Sequence, residues 1–485
     1  MAMGEVQERA ARPRVLLVCS PCMGHLIPLV ELSRRLVSDH GLAATLLFAA
    51  ATSPPSSEYL SLVASIGAGG IDLVTLPAPP PDSLPSSASV IVRAAHAVAS
   101  SVPRVRELAR PLAAAAAPGR LAALVVDVVG VAAARGVAAE LGVPCYVFFT
   151  SPWMTLSLFL RLPELDTARS GGEHRDATEP ICLPGYAPIH AHELPRSMLA
   201  DRSSDSYAAF LSMAKGLRGV DGILVNTFRE LEPAVGDHGV EGLEVPVHPI
   251  GPLVLTRPVG LDRDHECLRW LDRQPRRSVV YVSFGSGGTL TWQQTAELAL
   301  GLELSRQRFV WVVKRPHQDT ASGSFFGTAR GEETSMDFLP EGFIERTTGI
   351  GLGIQAWVPQ SAILAHTSVG CFVTHCGWNS TLESIMNAVP MVAWPLYAEQ
   401  HMNASMLEVQ VGVATRIKVG PDRFISKEEV ASAINRVMEG EGERMVKRAS
   451  ELQDKSVRAL SKVGCSTQAL DHITGTWKYL AGGNI

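Results

Sequence analysis

The chain has 485 residues, enough for two α/β domains of about 240 residues or three domains of about 150 residues. Apolar residues make up 46% and charged residues 19% of the chain. This composition is that of a globular protein and excludes disorder for most of the chain. The 43 basic and 48 acidic residues give a formal charge of −5, which argues against a protein that neutralises many nucleic-acid phosphates.

The sequence shows no pattern typical of export or of membrane insertion. Residues 1–14 are polar and charged, and no stretch reaches the roughly 18–20 apolar residues that span a bilayer. Among eight cysteines only Cys19 and Cys22 have C-x-x-C spacing, and no second pair completes a zinc site. We expect a cytoplasmic protein with reduced thiols, and redox chemistry at Cys19 and Cys22 is the alternative.

Short apolar runs alternate with amphipathic stretches in the first half of the chain. The first helix is predicted between His25 and His40, with Pro28 in its first turn and Gly41 after its end. Strands separated by helices predict βαβ units and a parallel sheet. The predicted strands are 15–19, 44–50, 71–76, 124–127 and 145–149, and two further helices are predicted over 90–117 and 131–141.

The same alternation restarts after a polar segment, 253–270, which is interpreted as a linker because it contains Pro258 and Gly260. Residues 315–337 are rich in Ser, Gly, Thr and charge, and are expected to form a surface insertion. We predict an α/β protein with two doubly wound Rossmann-like domains facing a cleft, where ligands would bind. The predicted strands of the second domain are 279–284, 309–314, 354–357, 371–375, 391–394 and 413–417, with a helix over 291–305.

The strongest local signal is the segment 374–383, which reads T-H-C-G-W-N-S-T-L-E. A predicted strand ends at His375, a glycine permits a tight turn, and Asn379 or Ser380 is expected to cap the next helix. Free N–H groups at a helix N-terminus suit a phosphate or diphosphate, and Glu383, one helical turn beyond, could accept hydrogen bonds from a sugar diol. An ordinary capped helix is the alternative interpretation.

His25 follows the first predicted strand, where enzymes of this architecture place active-site groups. An imidazole at this position can act as a general base near neutral pH. Asp127 ends another strand of the same predicted sheet and could fix the tautomer of the imidazole. The alternative is that both side chains only cap helices.

Motifs for common cofactors are incomplete in this sequence. The turn G-S-G-G over 285–288 follows a predicted strand but does not complete G-x-G-x-x-G, and no acidic residue stands where a dinucleotide ribose would be held. Asp262 and Asp264 form a D-x-D sequence, but they lie in the polar segment with no strand before them. We therefore expect neither a dinucleotide cofactor nor a bound metal.

Residues 357–400 resemble the signature of plant secondary-product glycosyltransferases almost without a break. They contain W-V-P-Q, then H-C-G-W-N-S-T-L-E, then P-L-Y-A-E-Q, and the segments 224–228 and 283–286 agree with the family as well. The chain is similar to family 1 UDP-sugar-dependent glycosyltransferases with the GT-B fold, and within them to the hydroquinone and monolignol glucosyltransferase branch. It departs from the usual pattern at Cys22 and at Ala388-Val389, where small or glycine-containing sequences are common.

The resemblance implies a binding site for UDP-glucose. Gln400 at the end of the signature is the usual indication of glucose in this family. The implied donor-binding residues are Trp357, Val358 and Gln360 for uracil, Ser286, His375, Asn379 and Ser380 for the diphosphate, Glu383 for the ribose, and Thr150, Trp378, Glu399 and Gln400 for the glucose.

The resemblance also implies an inverting reaction. His25 would take the proton from the hydroxyl of a small phenolic or phenylpropanoid acceptor, and Asp127 would steady the imidazolium. The product would be a β-glucoside, formed without a metal or a cofactor. Transfer to carbon or nitrogen of an aromatic acceptor, a UDP-sugar epimerase and a UDP-sugar sensor remain alternatives.

The acceptor pocket is expected to come from variable N-terminal segments, and its candidate residues are Cys22, Phe149, Trp153 and Tyr397. The expected partners are a UDP-sugar and a small aromatic molecule, with no nucleic acid and no membrane insertion, and the protein is expected to be a monomer. On this resemblance, 1–252 is the acceptor-binding domain and 271–465 the UDP-sugar-binding domain. A C-terminal helix over 466–485 is expected to pack back on the first domain.

Overall fold

A computed structural model of the chain describes residues 12–51, 59, 62–63, 70–115, 119–169, 171–233, 245–255, 265–317, 336–355, 358–420, 424–440 and 442–482. The chain divides into two compact units. The first unit comprises Met1–Ala191, Ser197–Leu255 and Arg458–Ile485, and the second comprises His192–Arg196 and Thr256–Val457.

The strands fall into one parallel sheet in each unit. Among the residues that the structure describes, seven strands lie in the first unit and six in the second. They are β1 (Arg14–Cys19), β2 (Ala43–Ala49), β3 (Asp72–Leu76), β4 (Leu121–Asp127), β5 (Cys145–Phe149), β6 (Gly222–Val225), β7 (Val247–Pro249), β8 (Val279–Ser283), β9 (Arg308–Val312), β10 (Gly351–Ile354), β11 (Val369–Thr374), β12 (Met391–Ala393) and β13 (Ala414–Arg416).

The helices connect the strands, as parallel pairing requires. They are α1 (Met23–Ser38), α2 (Val90–Ala114), α3 (Val131–Leu141), α4 (Trp153–Ala168), α5 (Arg196–Leu199), α6 (Asp205–Gly216), α7 (Glu266–Leu271), α8 (Trp292–Ser305), α9 (Phe343–Arg346), α10 (Gln360–Leu364), α11 (Trp378–Met386), α12 (Gln400–Met406), α13 (Lys427–Asn435), α14 (Gly442–Ala459) and α15 (Cys465–Leu480). None of the described helices has the length and the apolar character needed to cross a bilayer.

The sheet of the first unit has the order β3-β2-β1-β4-β5-β6-β7. Every residue of β2, β4 and β5 is buried, as is typical of parallel strands covered by helices on both faces. The strand order reverses direction between β1 and β4, and ligands of such sheets bind at the carboxyl ends of the strands beside that point. The last helix, α15, belongs to this unit, where Trp477 is fully buried with its ring centroid 5.1 Å from that of Tyr146.

The sheet of the second unit has the order β10-β9-β8-β11-β12-β13, and its reversal lies between β8 and β11. The prediction of an α/β protein with two doubly wound, parallel-sheet domains is therefore confirmed for each unit taken by itself. The predicted linker, 253–270, begins inside the first unit and ends in α7, and its residues 256–264 lie outside the described residues. Residues 318–335 of the predicted insertion also lie outside the described residues.

The strand predicted over 354–357 was wrong. The strand at this place is β10, which pairs with β9 over Gly351–Ile354, while residues 356–357 lie outside the described residues. Gly351 lies directly under the ring of Phe309, and a Cβ at Gly351 would come within 2.2 Å of that ring. The close approach requires glycine, and glycine is also the residue that weakens a strand prediction.

The first helix begins earlier than predicted. It starts at Met23, so His25 lies in its first turn and Pro28 lies further inside the helix. The backbone N–H of His25 donates to the carbonyl of Cys22 at 2.9 Å. The sequence analysis also missed β6 and β7, which are only four and three residues long.

One departure from the family pattern, Ala388, has a measurable energetic consequence. Ala388 follows α11 with φ +52°, in the left-handed region that disfavours a Cβ. Its N–H donates to the carbonyl of Ile385 at 3.1 Å, and the N–H of Val389 donates to that of Ser384 at 3.0 Å, so the helix end fixes this conformation.

We predict that Ala388→Gly raises the free energy of unfolding by about 0.5–1 kcal/mol, because glycine removes the steric cost of the left-handed backbone. The control is Ala132→Gly at an exposed position inside α3. This substitution is expected to lower the free energy of unfolding by about 0.5–1 kcal/mol. Denaturant unfolding measures both variants, and equal destabilisation of the two would contradict the prediction.

Candidate active site

A side chain from the helix after β1 and the side chain that ends β4 meet at the carboxyl edge of the first sheet. Nδ1 of His25 lies 2.8 Å from Oδ1 and 2.9 Å from Oδ2 of Asp127. β1 pairs with β4 along its length, which brings the chain following Cys19 next to the residue that ends β4. The two candidate catalytic residues are therefore adjacent in the structure. A proton on Nδ1, shared with the carboxylate, leaves Nε2 as the basic nitrogen of a neutral ring.

Asp127 is fully buried, and three groups in the first unit hold it in the ionised form. Burial alone raises the pKa of Asp127, but the His25 imidazole and hydrogen bonds from Ser20 outweigh it and leave the pKa below its usual value. The backbone N–H of Ser20 donates to Oδ2 at 3.1 Å. The side chain of His25 keeps 24% of its surface exposed, so the ring can meet a small molecule while its partner stays fixed.

Cys22 occupies the N-cap of α1, close to this pair. Its thiol is 5% exposed, and burial together with the charge of Asp127 raises its pKa to about 12. Burial also raises the pKa of Cys19. Both cysteines are unpaired. Because thiols with such pKa values carry almost no thiolate at neutral pH, the environment does not favour the redox alternative.

A buried carboxylate that the sequence analysis missed, Glu232, organises the segment after β5. One oxygen accepts hydrogen bonds from the N–H of Trp153 at 3.0 Å and from the Thr227 hydroxyl, and the other from the N–H of Met154 at 3.0 Å and the Tyr186 hydroxyl at 2.9 Å. Burial raises the pKa of Glu232, and these donors oppose the shift. The carboxylate thus satisfies the first N–H groups of α4.

The two acceptor-pocket candidates on this segment are largely inside the unit. Phe149 is 1% exposed, with its ring centroid 5.5 Å from that of Phe159, and Trp153 is 4% exposed. Thr150 directly follows β5 and is buried. The roles of these three residues stay predictions.

In the second unit the chain turns sharply between β11 and α11. Cys376 has φ +62°, and its carbonyl accepts a hydrogen bond from Nδ2 of Asn403 at 2.9 Å. The predicted cap was wrong, because Gly377 is the N-cap and α11 already begins at Trp378. Asn379 and Ser380 therefore lie inside the first turn. Since Gly377 has no side chain, the first N–H groups of the helix have no side-chain cap from the N-cap residue.

His375 lies in this turn with its ring between two glycines. A Cβ at Gly285 would come within 2.6 Å of the ring, and one at Gly377 within 2.4 Å. Burial lowers the pKa of His375 to about 3, and the charge of Lys314 adds to the effect. Nδ1 of His375 has no hydrogen-bond partner among the described residues. The imidazole is therefore neutral and presents a hydrogen-bonding group without a net charge.

The candidate ribose and uracil residues form one hydrogen-bonded cluster between α10 and α11. Nε2 of Gln360 donates to Ser380 Oγ at 2.9 Å and to Glu383, whose other oxygen accepts from Ser361 at 2.8 Å. Tyr281 donates to Oε1 of Gln360 at 3.2 Å. Burial raises the pKa of Glu383, and the two donors oppose the shift. Each carboxylate oxygen has further lone pairs for a diol.

The end of the signature is also ordered by its own side chains. Oε1 of Gln400 accepts from the N–H groups of Leu396 at 2.9 Å and Tyr397 at 3.0 Å. This fixes the amide so that Nε2, a donor, is the remaining polar group of the side chain. Glu399 is the N-cap of α12, and the ring centroid of Tyr397 lies 6.4 Å from that of His375.

The remaining candidates are accounted for as follows. Val358 is buried, and its carbonyl accepts the N–H of Gln360 at 2.9 Å. Ser286 is exposed in the turn after β8. Trp357, Asp262 and Asp264 lie outside the described residues. Among the residues that the structure describes, no group of three or more His, Cys, Asp or Glu side chains could hold a metal ion.

Comparison with known proteins identifies the family. The sequence model of a family described as UDP-glucoronosyl and UDP-glucosyl transferase matches residues 261–463. The chain is 43% identical over 473 residues to hydroquinone glucosyltransferase of Rauvolfia serpentina, covering 96% of this chain and 98% of that protein. It belongs to the UDP-glycosyltransferase family.

Two solved structures of UDP-glycosyltransferases resemble the whole chain. One is Phytolacca americana UGT2 complexed with UDP-2fluoro-glucose and pterostilbene, with 37% identity, a TM-score of 0.85, and coverage of 96% of this chain and 100% of that chain. The other is a complex between 3,4-dichloroaniline and a UDP-glucosyltransferase from Polygonum tinctorium capable of glucosylating indoxyl, with 39% identity, a TM-score of 0.86, and coverage of 96% of this chain and 99% of that chain. The resemblance to plant UDP-glycosyltransferases, the GT-B fold class and the enzyme class are thereby confirmed.

We predict that Glu232→Ala lowers the free energy of unfolding by about 3 kcal/mol or more, because it leaves three buried donors and the half-buried Tyr186 hydroxyl without their acceptor. Glu232→Gln keeps the shape of the side chain and one acceptor oxygen, so it is expected to lower the free energy of unfolding by a smaller amount. The matched control is Glu230→Ala, where the described partner is a thiol at 3.8 Å. Thermal or denaturant unfolding measures the free energy of unfolding of each variant. Equal decreases for Glu230→Ala and Glu232→Ala would contradict the prediction.

Proposed function

We propose that this enzyme transfers glucose from UDP-glucose to the hydroxyl group of a small phenolic or phenylpropanoid acceptor and forms a β-glucoside with inversion at the anomeric carbon. The observation that carries the proposal is the His25–Asp127 pair, at 2.8 Å, on the edge of the first sheet. Hydroquinone and pterostilbene, which appear in the names of similar proteins, are small aromatic molecules of this class.

The pair supplies what a phenol needs to become a nucleophile. A phenol has a pKa of about 10, so little phenolate exists at neutral pH. Nε2 of His25 takes the proton as the oxygen attacks, and the ionised carboxylate of Asp127 stabilises the imidazolium that forms. Because Asp127 is buried, its charge is little screened by water.

The second unit is proposed to hold the donor. His375 and the first N–H groups of α11 would donate hydrogen bonds to the diphosphate, with Ser286, Asn379 and Ser380 beside them. Glu383 would accept hydrogen bonds from the ribose. Trp357, Val358 and Gln360 would hold uracil, and the side chain of Gln360 would do so indirectly, because its polar atoms already bond Tyr281, Ser380 and Glu383.

The glucose hydroxyls would be bound by Thr150, Trp378, Glu399 and Gln400. The support for Gln400 is the fixed orientation of its amide, which keeps Nε2 as a donor for a sugar oxygen. Cys22, Phe149, Trp153 and Tyr397 are proposed to shape the acceptor site. The donor is a substrate, and the proposed reaction uses no cofactor and no metal ion.

We also propose a cytoplasmic monomer. The eight cysteines are all unpaired, which is usual in a reducing compartment. The proposal gives no role to nucleic acid or to a membrane.

We predict that His25→Ala lowers kcat for a phenol such as hydroquinone by about 10²–10⁴-fold, because the general base is lost. UDP affinity is expected to stay the same, since the residues proposed to bind the UDP part of the donor all belong to the second unit. His472→Ala, at an exposed position on α15, is the matched control. Assays with UDP-glucose are run with and without EDTA, and binding of UDP is measured by calorimetry.

The same assay separates the alternatives. Product linkage is read by NMR for phenols, monolignols, flavonoids and anilines, so that attachment at oxygen, nitrogen or carbon is distinguished. Unchanged turnover in His25→Ala would remove His25 from the mechanism. Conversion of UDP-glucose without an acceptor would indicate an epimerase, UDP binding without turnover on any acceptor would indicate a sensor, and loss of rate in EDTA would indicate a metal requirement.

A further inference from the structure

Lys314 connects the end of one strand to the turn after its neighbour. It follows β9 by two residues, and its Nζ donates to the carbonyl of Ser286 at 2.6 Å and also to that of Gly285. β8 and β9 are paired in parallel. The side chain therefore lies along the carboxyl edge of the second sheet and holds the turn 285–286 in place.

This turn lies directly against His375. Gly285 has φ +70°, and the imidazole of His375 occupies the space where a Cβ at position 285 would lie. Because β8 also pairs with β11, the turn after β8 and the turn that starts α11 share one edge of the sheet. The ammonium group, the imidazole of His375 and the first turn of α11 are thus brought to one place, and the charge of Lys314 acts on His375.

The groups so far assigned to the diphosphate carry little positive charge. His375 is neutral, because burial and Lys314 lower its pKa to about 3. A helix N-terminus contributes only about half an elementary charge. The chain as a whole has a net charge of −5, so its overall field does not attract an anion. A diphosphate with two or more negative charges therefore needs a fixed cation nearby, and charge-assisted hydrogen bonds are the strong ones.

We propose that Lys314 is the cation of the donor site, where its ammonium group balances the diphosphate of the UDP-sugar and the charge that grows on departing UDP. The inference rests on the proposed function, because it takes the donor to be a UDP-sugar. The carbonyls of Gly285 and Ser286 orient the ammonium group before the donor arrives, so that little reorganisation is needed in the reaction.

The test compares UDP with uridine, which lacks the diphosphate. Lys314→Gln keeps a hydrogen-bond donor for the two carbonyls but removes the charge, and Lys314→Arg keeps the charge. We expect Lys314→Gln to weaken UDP binding by about 10–100-fold, to leave uridine binding unchanged, and to reduce the dependence of UDP affinity on ionic strength. Lys314→Arg is expected to retain most of the affinity for UDP.

The matched control is Lys427→Gln, at a half-exposed position at the start of α13, which should bind UDP and uridine as the unsubstituted protein does. Calorimetry at low and high ionic strength, without an acceptor, measures all variants. Equal losses for UDP and uridine in Lys314→Gln, or no loss for UDP, would overturn the inference. If the unsubstituted protein itself fails to bind UDP, the proposed function fails, and the two failures are thereby distinguished.

Discussion

The hydrogen bond between Nδ1 of His25 and the carboxylate of Asp127 depends on one property of parallel sheets, which is that neighbouring strands end at the same edge. The two residues are 102 positions apart in the chain, yet β1 and β4 are adjacent and place them 2.8 Å apart. The strand order reverses at this pair, and ligands of such sheets bind beside the strand ends at this point. Burial of Asp127 then follows from its place at the end of an apolar strand.

In the second unit, neighbouring strands also end at the same edge of the sheet, but they bring different side chains together. β8 and β11 are neighbours at the reversal of the second sheet, and their carboxyl ends bring Gly285 against His375. Two glycines allow the backbone to approach the imidazole closely, and burial lowers the pKa of His375 to about 3, so that the ring is neutral. In each unit, therefore, a histidine lies at the reversal point of the sheet, but only the one in the first unit has a carboxylate partner among its described contacts.

The sequence predicted those features that depend on local pattern. Buried strands of five or more residues, the helices α1, α2, α3 and α8, and the residues His25 and Asp127 follow from apolar runs and from their ends. Gln360 and Glu383 were expected near the donor, but the hydrogen bond between them was not predicted. A side-chain contact between two helices produces no recognisable pattern in the sequence.

The failures have physical causes. The strand β10 was predicted with the wrong bounds because the ring of Phe309 requires glycine at position 351, and this contact joins residues 42 positions apart. Glu232 and Lys314 were missed because a single charged residue is usually a surface residue. Only the folded chain shows the buried N–H groups that donate to Glu232 and the carbonyls that accept from Lys314.

The central claim is that an ionised carboxylate, held out of water, makes His25 a general base. The most direct measurement is kcat of Asp127→Asn with UDP-glucose and a phenol, together with UDP affinity and circular dichroism. Asparagine keeps the shape and an acceptor for the Ser20 N–H, but it carries no charge and can place its own N–H against Nδ1. The account predicts that kcat falls by about 10²–10⁴-fold in a folded protein that binds UDP normally. A kcat close to that of the unsubstituted enzyme would contradict it.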